Sequence, residues 1–201
     1  FNALHAPGFV VMAGVSGVGV LVLVAAVVRR GLRLESVIRP EAFRWLGNFM
    51  LVLTIVYLYF MIAEELTANY AAMKQETRIA HEVVFGVYAC AFWTVVASLV
   101  AAAAILFLQF VRGGASVAWT VAAGILVNVA APLKRYLIVV PSQTHGMLLP
   151  YEAGAYVPTW VEIFVILGLF ALGTLLYLVF VKVFPIVPLG TTYTDAFLIV
   201  P

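Results

Sequence analysis

The chain has 201 residues, 65% of them hydrophobic and only 10% charged, with a mean hydropathy of +1.13, whereas a water-soluble domain is about 25% charged and about 45–50% apolar. That surplus of apolar surface excludes a water-soluble core and selects lipid as the solvent, because helices satisfy their own backbone hydrogen bonds there. The net charge of +2 rests on so few ionisable groups that it carries no signal for nucleic acid.

Five stretches reach the roughly 20 residues that cross a bilayer, at about 6–28, 45–66, 83–111, 116–137 and 159–181. The expected fold is all-α, a polytopic bundle of about five transmembrane helices: a four-helix bundle plus one further helix. Residues 1–190 are expected to form the bundle and 191–201 a cytoplasmic tail. The opening Phe1-Asn2-Ala3-Leu4-His5 has neither a methionine nor the charged start of a signal peptide, so the sequence is expected to begin part-way through a longer protein.

The first span carries Gly14, Gly17 and Gly19, which let helix backbones approach closely. The connection after it holds Arg29, Arg30, Arg33, Arg39 and Arg44; Arg112 beside Gly113-Gly114 and Lys182 fall on the same side. The opposite side has Lys74, Arg78, Lys134 and Arg135, so seven basic residues face four. The positive-inside rule then places the arginine-rich side in the cytoplasm, the start of the chain outside and its end inside. Trp45 and Trp119 near the inner boundary, and Trp160 near the outer one, fit interfacial belts. The outer connections are long, about 16 residues before the third span and about 20 before the fifth, and loops of that length are usually functional.

The second span ends in Glu64 and Glu65, preceded at helical spacing by Tyr57 and Met61. At 1.5 Å per residue from the cytoplasmic boundary these carboxyls arrive after roughly 30 Å, in the outer third of the bilayer. An intramembrane carboxylate is a functional candidate by default; the alternative is a side chain snorkelling to water. The third span contains Cys90, the single cysteine, read as a small buried hydrophobe. One cysteine builds neither a disulfide framework nor a thiolate-held iron–sulfur or zinc site.

The fourth span brings Lys134 and Arg135 to the same outer level, just after Pro132, which leaves the carbonyl of Asn128 without its helical donor. Arg135 is expected either to pair with Glu64 or to stabilise negative charge on a ligand, with Tyr136, Asn128 and Tyr70 as weaker partners. At the start of the fifth span, Thr159-Trp160-Val161-Glu162 fits a capping box behind Pro158. His5, His81 and His145 all map to outer ends or loops, so no facing pair lies mid-bilayer to ligate a haem, and no metal site is expected.

Several segments together resemble one family, the NrfD-like membrane subunits, which include the polysulfide reductase membrane subunit and the quinol-oxidising subunits of alternative complex III. They are His5-Ala6-Pro7-Gly8-Phe9-Val10-Val11, Tyr59 to Thr67 with Tyr70, Pro132 to Pro141, and Val157 to Ile163 running on to Ile186. Glu64, Tyr70, Arg135 and Glu162 fall on matching positions, and the likeness covers the C-terminal part of such a subunit. The resemblance implies two four-helix bundles in a bacterial inner membrane, exchanging electrons between quinone and an extrinsic iron–sulfur subunit. It also implies that the quinone is bound mainly by a preceding N-terminal bundle, and that no haem or iron–sulfur cluster resides in this chain. Glu64 and Arg135 are the expected site, as part of a proton path or as pocket electrostatics. A transporter module and a cofactor-free structural anchor are the rival readings. An exported phosphatase fused after Lys182 is expected to be inactive, because that end is cytoplasmic; an active fusion would reverse the orientation.

Overall fold

The long apolar runs fold as α-helices in the computed structural model, which describes residues 5–31, 35, 38–70, 74–114, 116–144 and 159–184. The helices are α1 (His5–Gly31), α2 (Pro40–Tyr70), α3 (Lys74–Phe85), α4 (Ala89–Arg112), α5 (Val117–Thr144) and α6 (Trp160–Val183). Five of them, all but α3, are long and apolar enough to cross a membrane, and no strand occurs among the described residues. The chain is therefore an all-α, multi-pass membrane protein. Arg33, His145, most of the connection before α6 and the tail 191–201 lie outside the described residues.

Helices α1, α2, α4 and α5 pack into one bundle in which α5 touches each of the other three. Its core is a column of Met12, Val15, Met50, Leu99, Leu106 and Val127. Small residues bring α1 and α5 together: the Gly19 carbonyl lies 3.3 Å from where a Cβ on Gly124 would stand. Without a hydrophobic force between helices in lipid, such close backbone approach is what holds them. Buried Thr54 satisfies its hydroxyl on the Met50 carbonyl at 2.7 Å. At the arginine-rich end, Gly113 closes α4 with φ of +63° and donates to the Phe110 carbonyl, a left-handed stop that glycine adopts without steric cost.

Two features differ from the sequence reading. The expected third span from 83 is divided: α3 ends at Phe85 and α4 starts only at Ala89. Gly86 and Tyr88 both donate to the Glu82 carbonyl, at 3.0 and 3.4 Å, which turns the chain. A Cβ at Gly86 would stand 2.8 Å from the Glu82 carbonyl oxygen, so glycine is needed there. Trp93 then ties α4 back to the Val84 carbonyl at 3.2 Å. Helix α3 itself occupies a stretch expected to be loop. The second difference is Cys90, which is exposed rather than buried.

The second unit, residues 156–201, contains α6. It is apolar all round and has no buried residue, the pattern of a helix solvated by lipid. The Thr159 hydroxyl of the expected capping box donates to the Glu162 carboxylate at 2.8 Å and makes no cap bond to backbone.

A Cβ on Gly19 would stand 2.5 Å from Asn128 Nδ2, whereas one on Gly17 meets nothing within 4 Å. Gly19→Ala is expected to lower stability by about 1–3 kcal/mol through overpacking. Gly17→Ala should be neutral or slightly stabilising, with thermal unfolding in detergent as the measurement.

Candidate functional site

Buried residues on α1 recur at Gly8, Met12, Val15, Gly19 and Val22, and one turn before Gly8 that stripe reaches His5. On α2 the stripe Phe43, Gly47, Met50, Thr54, Tyr57 and Met61 runs into Glu64 and Glu65. On α5 it passes through Thr120, Ala123, Val127 and Ala130 to Lys134. Three apolar stripes thus each end in ionisable groups at one end of the bundle, opposite the arginines.

The groups meet. Lys134 Nζ donates to Glu64 Oε1 at 3.3 Å and lies 3.3 Å from Oε2. His5 Nδ1 stands 3.6 Å from Oε1 on the other side, just beyond hydrogen-bond reach. Lys134 is 5% exposed, and a lysine that enclosed is tolerated because a carboxylate takes its charge. His5 is the most accessible of the three, its side chain 42% exposed against 21% for Glu64. The exposed edge of the cluster is therefore at His5.

Together these residues line an open cleft of about 380 Å³, a volume that includes open solvent at its mouth. Gly8, Phe9 and Met12 contribute from α1, Tyr57 and Phe60 from α2, and Arg135 and Ile138 from α5. Arg135 sits 5.2 Å over the Phe9 ring, a cation–π contact that holds the guanidinium at the edge. The enclosed part of the cleft has room for about one water, with acid, base and phenol around it. Such an arrangement can take up a proton, hold it and hand it on.

Glu64 and Arg135, the residues singled out from sequence, both line this cleft, but they are not paired with each other. The cation on Glu64 is Lys134, because one residue along a helix is about 100° of rotation and only Lys134 lies on the buried stripe. Tyr70 stands at the end of α2, 95% exposed, away from the cleft. Asn128 lies below it, its amide donating to the Gly124 carbonyl at 2.8 Å. Tyr136 packs edge-on against Tyr88 with ring centroids 6.2 Å apart. His81 lies beside Phe85, at 5.4 Å. Glu65 lies next to the cluster with an enclosed Oε2 that has no hydrogen-bond partner among the described residues. No group of three histidine, cysteine or acidic side chains is placed to hold a metal among the described residues.

A family model described as polysulphide reductase, NrfD, matches residues 1–146, nearly three quarters of the chain. The chain belongs to the polysulphide reductase NrfD family. The matched region holds His5, Glu64, Lys134 and Arg135 together, and it ends before α6. No curated protein matches the chain. Membership in the NrfD family agrees with the multi-pass bundle and leaves the chemistry to be argued from the cluster.

Lys134→Met removes the only cation bonded to Glu64 among the described residues, and breaking an enclosed ion pair costs about 3–5 kcal/mol. With Glu64 partly exposed, a loss of about 2 kcal/mol is expected. Arg135→Gln, which gives up a cation–π contact at the cleft edge, should cost about 0.5–1 kcal/mol. Thermal melts of the two variants side by side check the order, and equal losses would contradict it.

Proposed function

We propose that this protein is part of the membrane subunit of a bacterial redox complex that couples quinone oxidation or reduction to an extrinsic iron–sulfur subunit, and that its bundle carries protons for that reaction. The supporting observation is the Glu64 carboxylate held between enclosed Lys134 and solvent-facing His5. The orientation that suits this role has the cluster at the outer face of the inner membrane and the arginine-rich loop in the cytoplasm.

Quinol oxidation releases protons and electrons, and quinone reduction consumes them. The electrons need a redox partner, which the extrinsic iron–sulfur subunit supplies. The protons need an acceptor within hydrogen-bond reach, and that is the part this chain's residues can perform. The quinone itself is assigned to a neighbouring part of the complex, the preceding bundle that the family resemblance implies, and the cleft of this chain serves the proton.

A proton reaching the cleft by water adds to Glu64 Oε1 or Oε2, the carboxylate that Lys134 contacts. Protonation removes the charge that Lys134 was paired with, so the carboxyl becomes a ready donor. Nδ1 of His5, 3.6 Å away, takes the proton after a small rotation or through one water and passes it to solvent. Run in reverse, the same groups deliver protons inward. Arg135 places a second cation at the edge of the same cleft.

Glu64→Gln keeps the shape and removes the acceptor. In the assembled complex it is expected to lower quinone-linked turnover about 100-fold, the low end of general acid–base contributions, while assembly measured by co-purification is retained. Arg135→Ala should reduce turnover less. Wild-type turnover in Glu64→Gln would refute the proton path. Ion-dependent flux without a redox partner would favour a transporter in its place.

A further inference from the structure

Glu65 is not used by the path just described, yet it is unusually placed. It follows buried Met61 by four residues, so it continues the stripe that α2 turns into the bundle, while Glu64 faces the cleft. Its Oε2 is enclosed without a hydrogen-bond partner among the described residues. The charged groups that act on it are Lys134, with the opposite sign, and Glu64, with the same sign. Lys134 is itself 5% exposed and already contacts both oxygens of Glu64.

One enclosed ammonium thus contacts Glu64 and acts electrostatically on Glu65 beside it, and it can neutralise only one of them. A carboxylate with an enclosed, unbonded oxygen is among the least tolerable arrangements in an apolar surrounding. Moving a proton or the ammonium removes that conflict.

We propose that Glu65 is a second proton carrier of this site, protonated while Lys134 sits on Glu64 and taking over the ammonium when Glu64 is protonated. In the first state Glu64 is an anion, Lys134 a cation and Glu65 a neutral acid. When a proton arrives, an O–H bond forms on Glu64, the ammonium swings to Glu65, and the O–H bond of Glu65 breaks with its proton leaving to water. One proton enters and one leaves, so the three groups keep a net charge of zero throughout. The lysine is the moving part, its long stem rotating between two acids that α2 presents on adjacent positions. The inference rests on the proposed proton path only for the source of the incoming proton; it is argued from the enclosed, unbonded oxygen of Glu65 beside the Lys134–Glu64 pair.

Infrared difference spectroscopy of the intact complex in lipid nanodiscs tests it without any turnover. The wild type is expected to show a protonated-carboxyl C=O stretch, sensitive to exchange into D2O, that Glu65→Gln removes. Glu64→Gln frees Lys134 for Glu65, so the same band should be lost there too. Lys134→Met leaves no shared cation, and a second protonated-carboxyl band should appear. A spectrum unchanged by Glu65→Gln, or the Glu65 band persisting in Glu64→Gln, would overturn the proposal. Should Lys134→Met fail to accumulate, the two near-isosteric glutamine variants still decide the matter. If Glu64→Gln loses the band but turns over normally, the proton path is wrong and the shared lysine is right.

Discussion

An ammonium group enclosed among apolar helices must have a carboxylate beside it, and at the end of this bundle opposite the arginine-rich connection that requirement joins α5 to α2. Lys134 meets Glu64 at 3.3 Å to either oxygen, seventy residues away in sequence and on a different helix. The pair draws the ends of two helices together beside the third, which starts at His5. The cleft, its accessible edge and its single-water interior all follow from where that pair sits.

Backbone packing lower in the bundle makes the meeting possible. Gly19 and Gly124 let α1 and α5 approach until the Asn128 amide occupies the space a side chain on Gly19 would need. Gly47 does the same for α2, where a Cβ would come within 3.3 Å of Thr120 and 3.4 Å of Leu106. In lipid, where apolar surface gains nothing by leaving the solvent, such contacts and the few polar pairs carry the association. The ionic cluster is thus supported from below by small residues, and the flexible lysine stem lies above a tightly packed layer.

The candidate site was more legible in the sequence than its pairing. Glu64 and Arg135 could be picked out because ionisable groups at membrane depth are rare and demand an explanation. Lys134 carries a signal of its own: Thr120, Ala123, Val127, Ala130 and Lys134 repeat at helical spacing, and the small residues in that series mark a face pressed on neighbours. His5 likewise continues the series Gly8, Met12, Val15 and Gly19. Arg135 drew attention because it falls on a position shared with the family the sequence resembles, but rotation about the helix axis decides which cation pairs, and Lys134 is the one on the buried stripe. The break between α3 and α4 was hidden for a different reason. Val83 and Val84 read as the start of an apolar run, and only the hydrogen bonds converging on the Glu82 carbonyl separate the short helix α3 from the span.

The sequence by itself determined that the chain crosses a membrane about five times, that its basic residues gather at one end and that two acids lie near the other, because hydropathy and charge are properties of each residue regardless of its neighbours. Which cation serves which acid, and that the histidine at the start of α1 joins them, was decided by tertiary structure alone. Those relations depend on the rotation and depth of three helices against one another, set by glycine contacts far along the chain from the groups they align.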